Sequence, residues 1–290
     1  MTTAKIKNLV LIALASDEEL LETLVLKGGN AISLLERGKK DTVSRASYDL
    51  DYSMEGDFDG DIEEYTARIE RVLKSTFDEN GLTVIDFAFT VRPSTISDTI
   101  KDFWGGYNIQ FKLVNQADLE KYGSDLSELR KRAIKILPNQ SPKVEVEISK
   151  YEYVGKKMEV EVEGFIIYIY SPEMIVFEKL RAICQQLPEY ATVIPSHSPR
   201  PRARDFYDIY LINTLHKIDF DSEESKKTLE AIFNAKKVPL DFLHKIRENS
   251  AIHRSDWRNV IDTVSQKEDL KDFDFYLDYV NTLVNQITSP

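Results

Sequence analysis

Residues 45–54 read RASYDLDYSM, and no other stretch limits what this chain can fold into as sharply. Side chains on a strand alternate between faces. Tyr48, Leu50, Tyr52 and Met54 then form an apolar face, and Ser47, Asp49, Asp51 and Ser53 a polar one. Strand interiors disfavour aspartate, and neighbouring carboxylates repel. A strand here needs something to compensate both charges. A divalent cation does so economically, because Mg²⁺ prefers carboxylate and phosphate oxygens. The plainer alternative is an edge strand whose acids face solvent.

Upstream, Leu26-Lys27-Gly28-Gly29-Asn30 sits where an apolar, strand-like run gives way to a helical pattern. Paired glycines let backbone approach a ligand, and the N–H groups of a helix N-terminus favour phosphate. Gly-Gly alone is weak. Followed some twenty residues later by an Asp-x-Asp strand, it is a much stronger signal.

The flanking pattern is α/β. Helical periodicity spans residues 4–15, 17–22 and 61–78. Strand-like alternation covers 82–91, 107–114, 143–149 and 158–170, with a basic helix at 124–136 before Pro138. The character changes at Ser171-Pro172, an N-cap followed by a first-turn proline. Beyond it the pattern is mostly helical: 172–187, 204–216, 222–234, 239–247, 255–265 and 268–287. The expected organisation is an α/β domain over residues 1–170 and a helical domain over 171–290 that completes the active site. The linking segment 188–203 carries four prolines and is too long to be a plain turn.

Composition excludes several classes. The single cysteine, Cys184, rules out a disulfide framework or a cysteine-based zinc site. His197, His216, His244 and His253 lack metal-ligand spacing. Asp57-Phe58-Asp59-Gly60-Asp61 resembles a calcium loop, but its twelfth position is Arg68 rather than Glu. No apolar run is long enough to cross a bilayer, and the short one at 9–15 reads as part of the first helix, so a cytoplasmic location without membrane partners is expected. A net charge of −11 argues against non-specific coating of nucleic acid. Local basic patches remain, one at residues 121–143 and one at Arg200, Arg202 and Arg204.

Taken in order, Leu-Lys-Gly-Gly-x-Ala from Leu26, Arg-x-Ser-x-Asp-Leu-Asp from Arg45, Glu178-Lys179-Leu180-Arg181-Ala182, and Arg202-x-Arg204-Asp205-x-x-Asp208 resemble the AbiEii/AbiGii toxin family. That family belongs to the polymerase-β-like nucleotidyltransferases. The resemblance implies a nucleotidyltransferase-type mixed sheet with flanking helices. It implies transfer of a nucleotide from an NTP, with Mg²⁺ or Mn²⁺ as cofactor, by the toxin of a toxin–antitoxin or phage-defence pair. The implied acceptor is RNA, foremost the tRNA 3′ end, and the implied partner an antitoxin of winged-helix type. By position, Asp49 and Asp51 would hold metal. Lys27, Gly28, Gly29 and Ser47 would hold phosphates, Lys179 would contact the triphosphate, and Asp205 would act as base or orienting acid. A third carboxylate is expected from Glu145 or Glu147, with Glu147 preferred as the metal ligand.

The residues can be weighed without the family. On the 172–187 helix, Lys179 falls inside the apolar arc of Ile175, Val176, Leu180 and Ile183, with Glu178 and Arg181 outside it. A lysine facing inward needs an anion, or its stem snorkels to the rim. Asp208 reads as a first-turn charge and Asp205 as the functional acid. The competing functions are a nucleotide-binding module that sequesters a partner without turnover, and a transferase acting on a protein or small molecule.

Overall fold

The computed structural model describes residues 2–36, 49–136, 141–264 and 270–289. Seven strands form one mixed sheet. In chain order they are β1 (Val25–Lys27), β2 (Leu50–Ser53), β3 (Leu82–Arg92), β4 (Gly106–Asn115), β5 (Lys143–Ser149), β6 (Lys157–Val162) and β7 (Phe165–Tyr170). Their spatial order is β3-β4-β5-β2-β1-β7-β6. β2 runs parallel to β5 and antiparallel to β1, and β1 runs parallel to β7.

Period-two patterning decides the two faces. Tyr107, Ile148, Tyr52 and Leu26 lie in register across β4, β5, β2 and β1, and all are buried. Ile109, Val146 and Leu50 form the next apolar row. Helices α1 (Thr3–Ala15) and α4 (Ile62–Asp78) contact each other, and they contact β7 and β3 respectively. α1 is buried through residues 9–14, a core helix rather than an amphipathic surface one. The alternate residues turn the other way. Lys27, Asp51, Glu147 and Asn108 make one cross-strand row, and Ser53, Ser149 and Gly106 another.

Beyond the sheet the chain is largely helical. α7 (Pro172–Cys184) starts as expected, with the Ser171 hydroxyl accepting from the Met174 N–H at 3.3 Å and proline in the first turn. It packs against α8 (Ala203–Leu215) and α9 (Glu223–Ala235), and α8 packs against α12 (Phe273–Ile287). The sheet side and these helices share one continuous apolar core. Among the described residues, no helix is long and apolar enough to cross a membrane.

Several expectations are corrected. The run 158–170 is a hairpin, β6 and β7, turning at Glu163-Gly164, where both φ angles are positive, at 51° and 89°. A two-residue hairpin loop requires that conformation, and glycine supplies half of it without strain. The basic helix at 124–136 shortens to α6 (Leu126–Lys131), preceded by α5 (Gln116–Tyr122), which the pattern did not reveal. The 239–247 helix is a 3-10 segment, Leu240–Asn249. The 255–265 helix reduces to α11 (Trp257–Ile261), preceded by α10 (Ser250–Arg254). β2 begins at Leu50, so Asp49 stands just before the strand, and residues 46–48 lie outside the described residues.

Candidate active site

The site begins where β1 enters α3 (Gly28–Leu35). Gly28 has φ of +66°, a left-handed conformation that favours glycine. A Cβ there would lie 2.9 Å from Asp51 Oδ2, so the turn is also pressed against the carboxylate. Gly29 follows, buried in the first turn of α3. Asn30 is buried too. Its Oδ1 accepts from Lys7 Nζ at 2.7 Å, and its Nδ2 donates to the Asp49 carbonyl at 2.5 Å. Lysine is only a donor and a carbonyl only an acceptor, so the amide orientation is fixed by its partners. Asn30 thereby ties the glycine turn to the residue that opens β2.

Asp51 sits directly between Lys27 on β1 and Glu147 on β5. Burial pushes its carboxyl up to about 6; Lys27 opposes this, while Glu147, Asp49 and Glu178 reinforce it. Four carboxylates therefore share one field. Glu145 is occupied differently. It accepts from Asn108 Nδ2 and Gln110 Nε2, each at 2.7 Å, and lies 3.6 Å from Lys143. Against the upward push of burial, these donors leave its carboxyl below the usual range. Glu147 is exposed.

No three His, Cys, Asp or Glu side chains converge on a metal position among the described residues. A magnesium site does not require such a cage, since Mg²⁺ binds through one or two carboxylates and completes its shell with water and substrate phosphates. Asp51 and Glu147, adjacent across β2 and β5 and bearing hard oxygen donors, fit that requirement.

This polar face forms part of a cleft of about 760 Å³. Lys27, Glu145, Glu147 and Ser149 line it from the sheet, Glu178 and Arg181 from α7, and Lys236 from just beyond α9. Trp104 and the arginines Arg92, Arg200 and Arg202 also border it. Sequence reasoning missed Glu152. This buried carboxylate lies 2.6 Å from Arg181 Nη1 and 3.6 Å from both Lys27 Nζ and Lys236 Nζ. Burial raises its pKa, but the three cations outweigh it and hold the carboxyl far below the usual range. Lys27 Nζ also donates to Ser149 Oγ at 3.1 Å.

Lys179 and Asp205 meet, but not among the residues lining the cleft. Lys179 Nζ lies 2.8 Å from both Asp205 Oδ1 and Asp208 Oδ2, all three residues being buried. The inward lysine thus has its anions. Asp208 is not the first-turn charge expected, because it faces this pair rather than the helix end. Residues two apart on a helix point about 200° apart, which sends Arg181 to the cleft and Lys179 to α8. Asp205 also reaches Arg202 at 3.5 Å. The Arg202 N–H donates to Nδ1 of His253, which is fully buried. Of the remaining expected residues, Ser47 lies outside the described residues.

His253 gives a pH prediction. Burial lowers its pKa from 6.5 to about 4; Asp205 opposes and Arg202 reinforces the shift. The unfolded chain takes up this proton below about pH 6.5, whereas the fold resists it until about pH 4. Stability from this group is therefore complete above pH 6.5 and falls through that window, by at most roughly 3 kcal/mol. Urea unfolding between pH 7 and pH 4.5 should show a smaller loss for His253→Gln than for wild type. Parallel curves would mean that His253 titrates normally.

The profile of the family described as "Nucleotidyl transferase AbiEii toxin, Type IV TA system" matches residues 10–279. Among solved structures, the nucleotidyltransferase toxin MenT4 from Mycobacterium tuberculosis H37Rv superposes with a TM-score of 0.52 at 12% identity, covering 99% of this chain and 84% of that one. JHP933 from Helicobacter pylori gives 0.48 at 16% identity, covering 98% and 90%. At these identities the likeness to MenT4 is one of fold. No curated protein matches in sequence.

Proposed function

The chain belongs to the AbiEii family of nucleotidyltransferase toxins, and from that premise we propose that it transfers a nucleoside monophosphate from an NTP to RNA, with the tRNA 3′ end as acceptor. The observation that carries this reading is the cross-strand row Lys27–Asp51–Glu147, whose Lys27 and Glu147 line the cleft, with Gly28 closing against Asp51. Asp49, Asp51 and Glu147 would hold Mg²⁺ or Mn²⁺, which would supply alignment of the acceptor hydroxyl and charge neutralisation of the departing pyrophosphate. Glu147 is favoured over Glu145 because the latter is held by Asn108, Gln110 and Lys143. Lys27, Gly28, Gly29 and Ser47 would receive phosphates. Arg92, Arg200 and Arg202, gathered on one cleft, are suited to an RNA backbone despite the net charge of −11.

Family resemblance assigns Lys179 to the triphosphate and Asp205 to the site itself. Their mutual burial supports a positioning role. Lys179 neutralises Asp205, which holds Arg202 at the cleft. A cognate antitoxin is part of the proposal through the family alone.

The test is label transfer. Purified protein with Mg²⁺, each α-labelled NTP in turn and total tRNA should label RNA with one preferred nucleotide. Label found only on protein in lysate would move the acceptor to protein. No label on any macromolecule would sink the enzyme reading and leave nucleotide sequestration. In the same assay, Asn30→Asp keeps the Lys7 contact but removes the donor to Asp49. A drop of about 10- to 100-fold in kcat is expected, with some loss of melting temperature because a carboxylate oxygen then faces the Asp49 carbonyl. Unchanged kcat would remove Asn30 from the positioning of Asp49.

A further inference from the structure

Arg181, Lys236 and Lys27 reach Glu152 from α7, from the end of α9 and from β1. Arg181 and Lys236 are 3% and 4% exposed, so theirs are not solvated surface charges. The cluster is short of negative charge. Three cations meet one buried carboxylate, and Glu178, at 3.4 Å from Arg181, is the other acid in contact. Lys236 spends its remaining donors on the carbonyls of Phe103 and Lys150. Arg181 donates to Glu152, Glu178 and the Ile232 carbonyl, but its buried Nε–H has no partner. Burying an excess of positive charge is costly unless an anion completes it.

We infer that Lys27, Arg181 and Lys236, gathered around Glu152, form a subsite for a pyrophosphate group. The inference rests on the nucleotidyl-transfer reading for its role but not for its chemistry. It goes beyond that reading by placing the contact on the Arg181 face of α7 and by bringing in Lys236, which no motif marks. Lys27 lies directly across from Asp51 and so joins the cluster to the carboxylate row. An anion on the cluster would sit beside the carboxylate row, where a leaving pyrophosphate departs. Burial lowers the Lys236 ammonium to about 8; Glu152 opposes the shift, and Arg181 and Lys27 deepen it. This agrees with a cluster lacking one counter-ion. Arginine offers planar paired donors to phosphate oxygens and lysine a compact charge, so the set suits a polyanion better than a single carboxylate.

The test uses inorganic pyrophosphate itself, with EDTA present and neither NTP nor acceptor, titrated calorimetrically into the full chain. Wild type should bind it. Lys236→Met and Arg181→Lys should each bind at least tenfold more weakly while melting as folded proteins. Arg181→Lys keeps the charge and removes the unpartnered Nε–H, so it reports geometry rather than net charge. Binding by wild type without labelling of any macromolecule would uphold the subsite and defeat the transferase reading. Labelling without any effect of either variant on pyrophosphate binding, or no binding by wild type, would overturn the subsite alone.

Discussion

If Asp51 holds the metal as proposed, replacing it with Asn is expected to lower nucleotidyl transfer by about a thousandfold or more, because such a carboxylate would supply several kcal/mol of transition-state stabilisation. The same change should leave the melting temperature in EDTA unchanged or raised. Asn is isosteric, so it keeps the packing against Gly28, whose added Cβ would meet Asp51 Oδ2 at 2.9 Å. What it removes is a charge that the apo fold disfavours. Burial raises the Asp51 carboxyl to about 6, with Lys27 opposing and Glu147, Asp49 and Glu178 adding to the effect. The folded pKa is above the unfolded value, so ionised Asp51 weakens the fold at pH 7, by about 1–2 kcal/mol after allowance for solvent screening. Residues that destabilise a fold while serving chemistry are expected at active sites. A variant that lost activity and melted much lower would instead make Asp51 a structural acid. Full activity in the variant would remove it from the site.

Much of this was legible in sequence because one physical rule governs it. Alternation along β2 and β5 put Asp51 and Glu147 on one face and Leu50, Tyr52, Val146 and Ile148 on the other. The Gly28 turn was legible because few residues tolerate a left-handed φ so close to a carboxylate. The inward lysine of α7 was legible from helical periodicity, although its anions, Asp205 and Asp208, came from a different helix.

What escaped was set by tertiary contact. Alternation does not say which strands are neighbours, so Lys27 facing Asp51 across β1 and β2 had no local signature. The Glu163-Gly164 turn was hidden inside a run of strand-forming residues. Glu152 follows β5 in an irregular segment and looks like any loop acid until Arg181 and Lys236 fold onto it. Arg181 had a usable signal. Glu178, Arg181 and Gln185 recur at helical spacing and line the cleft together.

Glu152→Gln should move stability and anion affinity in opposite directions. The amide preserves volume and can still accept from Arg181, but the charge facing buried Arg181 and Lys236 and half-buried Lys27 disappears. Leaving a buried charge uncompensated costs about 3–5 kcal/mol. For a chain of this size that corresponds to a fall in melting temperature of roughly 5–8 °C. Combining Glu152→Gln with Lys236→Met should recover part of the loss, because one cation leaves with the anion and sites in one network are not additive. If the cluster is an anion subsite, the single variant also has more unmet positive charge to offer pyrophosphate. Saturating pyrophosphate should then raise its melting temperature by more than it raises that of wild type, since a ligand bound by the native state stabilises it by an amount that grows with the logarithm of its concentration over Kd. A purely structural salt-bridge network predicts the loss of stability without the gain in ligand response. Thermal melts of both proteins with and without pyrophosphate, in EDTA, separate the two.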